Sequence, residues 1–403
     1  MSKDVIIVGG SAAGLMHGIM LSRLGHKVTI LEEQAERQSQ AAGIRLYSET
    51  IDILQKYAFV PPSVQEGTST SLYRQNGKHI FSGNRAHKNI SWGLLCKVLR
   101  DAFDGTGGEG QKKGQYMRGA RVSSIREDGE KVIVGYSNVE GGSPKSISGD
   151  LVLAADGANS TIRQLLLPQS MRKYSGYVAW RGTVPVDVLD EETNEFFARK
   201  TSILLLKRSY LIVYNIPSDE GDNDKSRHIN LVWYQNFSTT SPELEAALTD
   251  INGKKHQNTV PKGLVNPEVW NTRVQLAAKL MPAPFVEVIS KITRPFVTRV
   301  NEVISPQASF FSGKVVLVGD ALVGLRPNTA MATNQAAMHC AEFEKVMMGD
   351  MSQAEWDRKM LRYGEKQLAL SVLVSMFGLG SVGQLIKSIL AFIGTSIGQA
   401  VRR

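Results

Sequence analysis

"VIIVGGSAAGL", Val5 to Leu15, is the stretch on which the reading of the whole chain turns. An apolar run suited to a buried strand, Val5–Val8, enters a glycine-rich turn, and an apolar-periodic helix follows over Leu15–Leu24. After Gly25 a second strand spans Lys27–Leu31 and ends at Glu32-Glu33, so the opening reads as a βαβ unit. The turn, Gly9-Gly10-Ser11-Ala12-Ala13-Gly14, matches the G-x-G-x-x-G dinucleotide fingerprint with serine at the middle glycine. In such a turn the first glycine makes the bend, the second lets the backbone approach a pyrophosphate, and the third lets helix pack on strand. Gly9 and Gly14 keep the outer roles. Ser11 adds only a hydroxymethyl group, and the helix N-terminus still offers open N–H groups and the positive end of its dipole. Glu32, eighteen residues after Gly14, stands where an acid accepts hydrogen bonds from a ribose diol. A glycine-rich turn in a purely structural α/β unit is the alternative, and the order strand, helix, strand, acid argues against it.

With 403 residues, 42% of them apolar, the chain can bury the cores of two or three ordinary units. Its start shows no basic leader, separate apolar segment or cleavage site, and no 18-residue uncharged apolar stretch occurs, so a cytoplasmic location is expected. Cys96 and Cys340 are the only cysteines, too far apart in sequence to suggest a thiolate pair, and no His/Asp/Glu cluster has metal-ligand spacing. The net charge of +9 is scattered, with no run of five basic residues. It points to acidic small molecules and away from nucleic acid.

Further along, "SLYRQNGKHIFSG" alternates around Asn76-Gly77, a dipeptide that tolerates positive φ at both central positions, and predicts a hairpin. Loops rich in Gly, Ser and Lys follow at "DGTGGEGQKKGQ" and "EGGSPKSISG", and strand-like alternation dominates from Tyr174 to Phe237, broken by the acidic loop "SDEGDND". Beyond Asp320 the pattern is helical. Two more stretches carry chemistry. In "DLVLAADGANSTIRQLL", Asp150–Leu166, a buried strand reaches Asp156-Gly157 before a helix that opens at Ser160 and carries Arg163. In "GKVVLVGDALVGLRPNTAMATNQAAMHCAEF", Gly313–Phe343, a strand ends at Gly319-Asp320, and an alanine-rich helix is expected to begin near Thr329 or Ala330.

These three stretches, in this order, resemble the class A single-component FAD-dependent aromatic monooxygenases of the p-hydroxybenzoate hydroxylase type. A narrower resemblance, to the 2,6-dihydroxypyridine hydroxylase-like branch, rests on "GYVAWRGTVP" (176–185), "HINLVWYQNF" (228–237), "TDINGKKHQNTVPKG" (249–263), "PFVTRVNEV" (295–303) and "RPNTAMATNQAA" (326–337). In the last of these, Asn328, Met331 and Ala332 replace the His, Ala and Gly of the branch's usual pattern. The resemblance implies non-covalent FAD, with Gly9, Ser11, Ala12, Ala13 and Gly14 at its pyrophosphate and Glu32 at its adenosine ribose. It also implies Asp156 and Gly157 in the motif associated with FAD and NAD(P)H, Asp320 at the ribityl chain, and Arg37 and the "AAGIRL" loop toward the flavin. Pro327, Thr329, Ala330, Met331 and Ala332 would lie beside the isoalloxazine ring. A helix N-terminus there stabilises negative charge on reduced flavin by up to about 2 kcal/mol, with N–H groups expected from Thr329 to Thr333.

The fold expected is an α/β Rossmann-like FAD domain with a parallel sheet, assembled from residues 1–70, 88–170 and 300–350. A mostly antiparallel substrate sheet would come from residues 71–87 and 171–299, and a helical segment from 351–403. The implied reaction is hydroxylation or epoxidation of an electron-rich aromatic or N-heteroaromatic ring through a C4a-hydroperoxyflavin, with NAD(P)H as transient co-substrate. A reductase or oxidase on the same scaffold and a non-catalytic flavoprotein are the rival readings. Tyr177, Trp180 and His256 are candidates for the pocket wall. A second G-x-G-x-x-G, Gly378 to Gly383 after the strand-like "LSVLVSMF", lacks the following strand and acid and is not read as a nucleotide site. The apolar stripe Ile386, Ile389, Ile393, Ile397, Val401 predicts a tail helix packed on its own protein, with contact to a membrane surface as the alternative.

Overall fold

The computed structural model describes residues 1–36, 42–61, 64–67, 69–83, 87–105, 114–219 and 227–401. The opening βαβ unit forms as expected: strand Asp4–Val8, helix Ala12–Arg23 and strand Lys27–Leu31, with Val5 level with Val28. Val5–Val8 are buried on both faces, as a strand inside a parallel sheet must be. The sheet runs Ser309–Phe310, Val315–Leu317, Leu151–Ala154, Asp4–Val8, Lys27–Leu31, Gln115–Met117. Only the Ser309–Phe310 edge is antiparallel. The strands ending at Val8, Leu31, Ala154 and Leu317 therefore deliver their following turns to one edge, where open α/β sheets bind ligands.

A second sheet is larger and mostly antiparallel. Its order is Thr259–Val260, Phe296–Ile304, Lys173–Pro185, His228–Asn236, Ser209–Ile216, Lys200–Leu206, Ser69–Arg74, His79–Gly83. The one parallel pairing along it joins Lys200–Leu206 to Ser69–Arg74. The hairpin at Asn76-Gly77 exists, but the positive φ is confined to Gly77, and the Gly77 N–H donates to the Arg74 carbonyl. This is a turn closed by a left-handed glycine.

Alternation along Lys173–Pro185 sorts its side chains between two cores. Val178, Trp180 and Val184 pack with Trp233, Trp270 and Phe285 beneath helices Pro242–Leu248, Pro267–Leu280 and Ala283–Ser290. Tyr177 and Ala179 take the opposite face with Tyr210, Val232 and Tyr234, toward the nucleotide-type unit.

The chain ends in helices Ala332–Met348, Gln353–Leu379 and Val382–Val401. Ser352 and Glu355 form a capping box at the start of the second. "LSVLVSMF" is helical, not strand-like, and the second glycine motif is the close of that helix and the turn after it. A Cβ at Gly378 would lie 2.3 Å from Tyr210 Cδ1, so this glycine serves close packing. The last helix reverses the expected orientation. Ser388 is buried and Gln399 donates from Nε2 to the Arg362 carbonyl at 2.6 Å, while Ile386, Ile389, Ile393 and Ile397 face outward. No helix among the described residues is long and apolar enough to cross a membrane.

Candidate active site

The glycine turn is held by backbone geometry that side chains would block. Gly9 has φ 98°, and a Cβ there would lie 2.5 Å from the Ala155 carbonyl oxygen. A Cβ at Gly14 would lie 1.9 Å from the Gly9 carbonyl oxygen, so the third glycine is set by strand–helix contact. Ser11 caps the helix in extended conformation without a side-chain capping bond, which leaves its hydroxyl uncommitted to the helix. Glu32 reaches back to this turn: its Oε2 accepts the Gly10 N–H at 2.7 Å and its Oε1 accepts the Gln34 N–H at 2.8 Å.

Two cavities meet at this edge and share Ser11, Trp92, Ala155 and Gly157 in their walls. One, of 440 Å³, runs along Gly9, Gly10 and Glu32 and is closed by Arg100, Tyr116 and Arg118. The Tyr116 hydroxyl donates to the Gly10 carbonyl at 3.0 Å, and the Arg100 guanidinium stacks 3.7 Å over the Tyr116 ring. The other, of 390 Å³, lies between the nucleotide-type unit and the large sheet. Its near wall includes Ala12, Ala13, Asp320 and the segment from Pro327 to Thr333; its far wall is Arg181, Ile203, Ile212, Tyr214, Val232 and Tyr234.

Buried acceptors at the junction lack partners. Asp320 Oδ1, Asp156 Oδ1 and Thr329 Oγ1 have none within the protein. Burial raises the Asp320 pKa to about 6 although Arg172 and Arg163 pull it down. Asp156 is raised by burial too, while its Oδ2 accepts the Ile162 N–H at 3.2 Å. Ser160 caps its helix as read from sequence, and Arg163 ties that helix to the Asp320 turn by donating to the Ala321 carbonyl at 2.7 Å. Unsatisfied buried acceptors are costly unless a ligand donates to them. Glycines that must stay bare and carboxylates that await hydroxyl donors fit a dinucleotide with a polyol chain. The residues present thus suit FAD.

The helix beside the second cavity begins at Ala332, later than expected. Pro327–Thr329 is a 3₁₀ turn, and Ala330 takes the left-handed conformation at φ 55°. Ala332, at the position where the resemblance implies glycine, opens the helix without positive φ, so alanine is accommodated. The open N–H groups belong to Ala332, Thr333 and Asn334, since the Gln335 N–H already bonds to Met331. Asn328 lines the cavity and is fixed from behind: Tyr177 donates from its hydroxyl to Asn328 Oδ1 at 2.5 Å, and Asn328 Nδ2 donates to the Tyr210 hydroxyl.

Most sequence-predicted residues converge here. Ser11, Ala12, Ala13, Gly157, Asp320, Pro327, Thr329, Ala330 and Ala332 line the 390 Å³ cavity, and Gly9, Glu32 and Asp156 the other. Met331 packs at the edge of the nucleotide-type core. Arg37 lies outside the described residues. Tyr177 stands behind Asn328 rather than in the wall. Trp180 and His256 are corrections. Trp180 points into the opposite core, 6.1 Å from Trp270 between ring centroids. His256 is bound in its loop to Asp250 Oδ2 at 2.7 Å, and neither Trp180 nor His256 lines either of these two cavities.

Arg45, Arg181, Tyr214 and Tyr234 escaped the sequence reading. Arg45 donates to Thr70 Oγ1 at 3.2 Å and faces His87 Nε2 at 2.8 Å. Arg181 has a buried Nε with no acceptor, and among the described residues neither arginine has a carboxylate partner. Burial raises the pKa of Tyr234 to about 12 and moves Tyr214 up as well, so both hydroxyls stay neutral donors. The period-two alternation from Tyr177 to Ala179 to Arg181 was the signal that could have found Arg181.

Comparison with known proteins agrees with this geometry. Residues 174–302 match the family model FAD binding domain-like. The chain is 27% identical, over 90% of its length and 88% of the relative, to the 2,6-dihydroxypyridine 3-monooxygenase of Paenarthrobacter nicotinovorans. The solved 2,6-dihydroxypyridine-3-hydroxylase from Arthrobacter nicotinovorans superposes with a TM-score of 0.83 at 23% identity, covering 94% of each chain. Klebsiella pneumoniae HpxO, complexed with FAD and uric acid, has the same fold at a TM-score of 0.67 and 17% identity, over 96% of this chain and 91% of that one. Other relatives include a 6-hydroxynicotinate 3-monooxygenase of Bordetella bronchiseptica, 22% identical over 87% of this chain, and an FAD-dependent urate hydroxylase of Klebsiella pneumoniae, 27% identical over 45% of it.

Proposed function

We propose that this chain, a homologue of FAD-dependent aromatic monooxygenases, oxygenates an electron-rich aromatic or N-heteroaromatic anion at the expense of NAD(P)H and O2. The observation that carries the anionic assignment is Arg181, a cation with an unpaired buried Nε that lines the cavity beside Ile212, Tyr214, Val232 and Tyr234. Arg45 adds a second positive charge, and Tyr214 and Tyr234 offer neutral hydroxyl donors. Among the described residues Asp320 is the only carboxylate in the wall of that cavity, and it belongs to the cofactor side. Such a lining favours a ring with an ionised hydroxyl or a carboxylate. Ionisation of a ring hydroxyl also raises the ring's electron density, which suits attack on an electrophilic oxygen.

In this reading the turn Gly9–Gly14 and the start of its helix hold the pyrophosphate, Glu32 the adenosine ribose, and Asp320 and Asp156 the ribityl hydroxyls. Arg100, Tyr116 and Arg118 close the adenosine side. Held there, FAD would supply the redox chemistry that couples oxidation of NAD(P)H to activation of O2, one oxygen atom going to the ring and the other to water. The N-terminus of helix Ala332–Met348 supplies open N–H groups where negative charge on the reduced ring is stabilised. Asn328, braced by Tyr177 and Tyr210, keeps that segment in place. The test is a spectrum of the purified protein followed by NAD(P)H oxidation with and without hydroxylated pyridines and benzoates. Bound flavin and oxidation stimulated by such anions are expected. Flavin-free protein, or stimulation by neutral rings alone, would overturn the proposal.

A further inference from the structure

The last helix is amphipathic, yet it is mounted with its apolar face away from the protein. Val382, Ile386, Ile389, Leu390, Ile393 and Ile397 are exposed, most of them by half or more, at spacings that place them along one side of four turns. Phe377, 60% exposed, is a further exposed apolar side chain near the end of the preceding helix, Gln353–Leu379. The side facing the protein includes buried Ser388 and Gln399, which donates to the Arg362 carbonyl. A continuous apolar stripe of this length marks a surface built to be covered.

Charge indicates the cover. After Glu365 the chain carries Lys366, Lys387, Arg402 and Arg403 and no acidic residue, within a protein of net charge +9. Lys387 is exposed on the helix itself. An apolar face on a segment that bears an exposed lysine and no acidic residue is complementary to a bilayer with anionic headgroups, where the apolar side chains enter the interface and cations meet phosphates. A second copy of the chain would bring like charges together. The helix is not apolar enough to span a bilayer, so it would lie in the interface plane. We infer that the helix Val382–Val401 docks the protein reversibly on anionic lipid surfaces, through a face that plays no part in the oxygenation site.

The experiment is co-sedimentation of the full-length protein with phosphatidylcholine vesicles made with and without phosphatidylglycerol, at low and high salt. Sedimentation with the anionic vesicles, weakened by salt, is expected. Lys387→Gln should weaken it by about fivefold, since each basic residue near an anionic surface contributes a factor of about five. The double substitution Ile389→Ser, Ile393→Ser should abolish it while leaving the thermal midpoint unchanged, because both side chains are exposed in the isolated protein. Equal binding to neutral and anionic vesicles would overturn the inference. So would no vesicle binding with a concentration-dependent dimer that the same double substitution dissolves.

Discussion

Replacing Asp320 with asparagine separates two effects that its burial ties together. The carboxyl group is enclosed, its Oδ1 has no protein partner, and burial raises its pKa from 3.8 to about 6. Between those values the folded apo-protein holds a proton that the unfolded chain releases. Stability is therefore fullest below the unfolded value, falls as pH rises through the window, and stays lowered above the folded value. Two pH units at ~1.36 kcal/mol each make the cost of the ionised group about 3 kcal/mol. Asp320→Asn keeps the shape and removes the charge. Its apo form should gain up to about 3 kcal/mol at about pH 8 and little at about pH 4, relative to the parent. For a chain of this size the gain is a melting midpoint higher by roughly 3–4 °C. FAD affinity should move the opposite way, because loss of a charged acceptor costs about 1.5–3 kcal/mol, or roughly ten- to a hundredfold in Kd. Paired thermal melts of the apo-proteins at the two pH values, with flavin-fluorescence titrations at neutral pH, measure both. A stability difference indifferent to pH, or an unchanged FAD affinity, would refute the role given to this carboxylate.

Ser11→Ala should retain FAD, whereas Ser11→Leu pushes a branched side chain into the junction of the two cavities and should lose it; flavin content after purification decides. Arg181→Met should raise the KM for an anionic ring by roughly ten- to a hundredfold, the cost of removing a charged hydrogen-bond donor, with flavin content unchanged. A KM equal to the parent's would remove Arg181 from the substrate site.

The cofactor half of the site was legible in sequence because its requirements are local. A strand, a glycine turn and a helix within ten residues leave little freedom, and Gly9 and Gly14 stand where any Cβ would strike backbone. Asp156 and Asp320 could be read because each ends a short buried strand of a parallel sheet. The substrate half was not local. Its wall joins Arg45, from the short strand Gly43–Leu46, to Arg181, Tyr214 and Tyr234 from three strands of the large sheet, distant in sequence. Choosing both Tyr177 and Trp180 overlooked that residues three apart on a regular strand point to opposite faces. The tail was misjudged for a different reason. Amphipathic periodicity fixes which residues share a face, but not whether that face meets its own core, and here Ser388 and Gln399 turn inward instead. Ala332 is the opposite case, since a missing glycine that looked consequential falls on ordinary helical backbone while the strained position is Ala330.

The most direct test of oxygen transfer is turnover under isotopically labelled dioxygen, using FAD-loaded protein, NAD(P)H and the ring anion that most stimulates its oxidation. One labelled atom should appear in the hydroxylated product and the other in water. Conversion of that substrate with no label in the product would contradict the account and assign the chain to reductase or oxidase chemistry on the same scaffold.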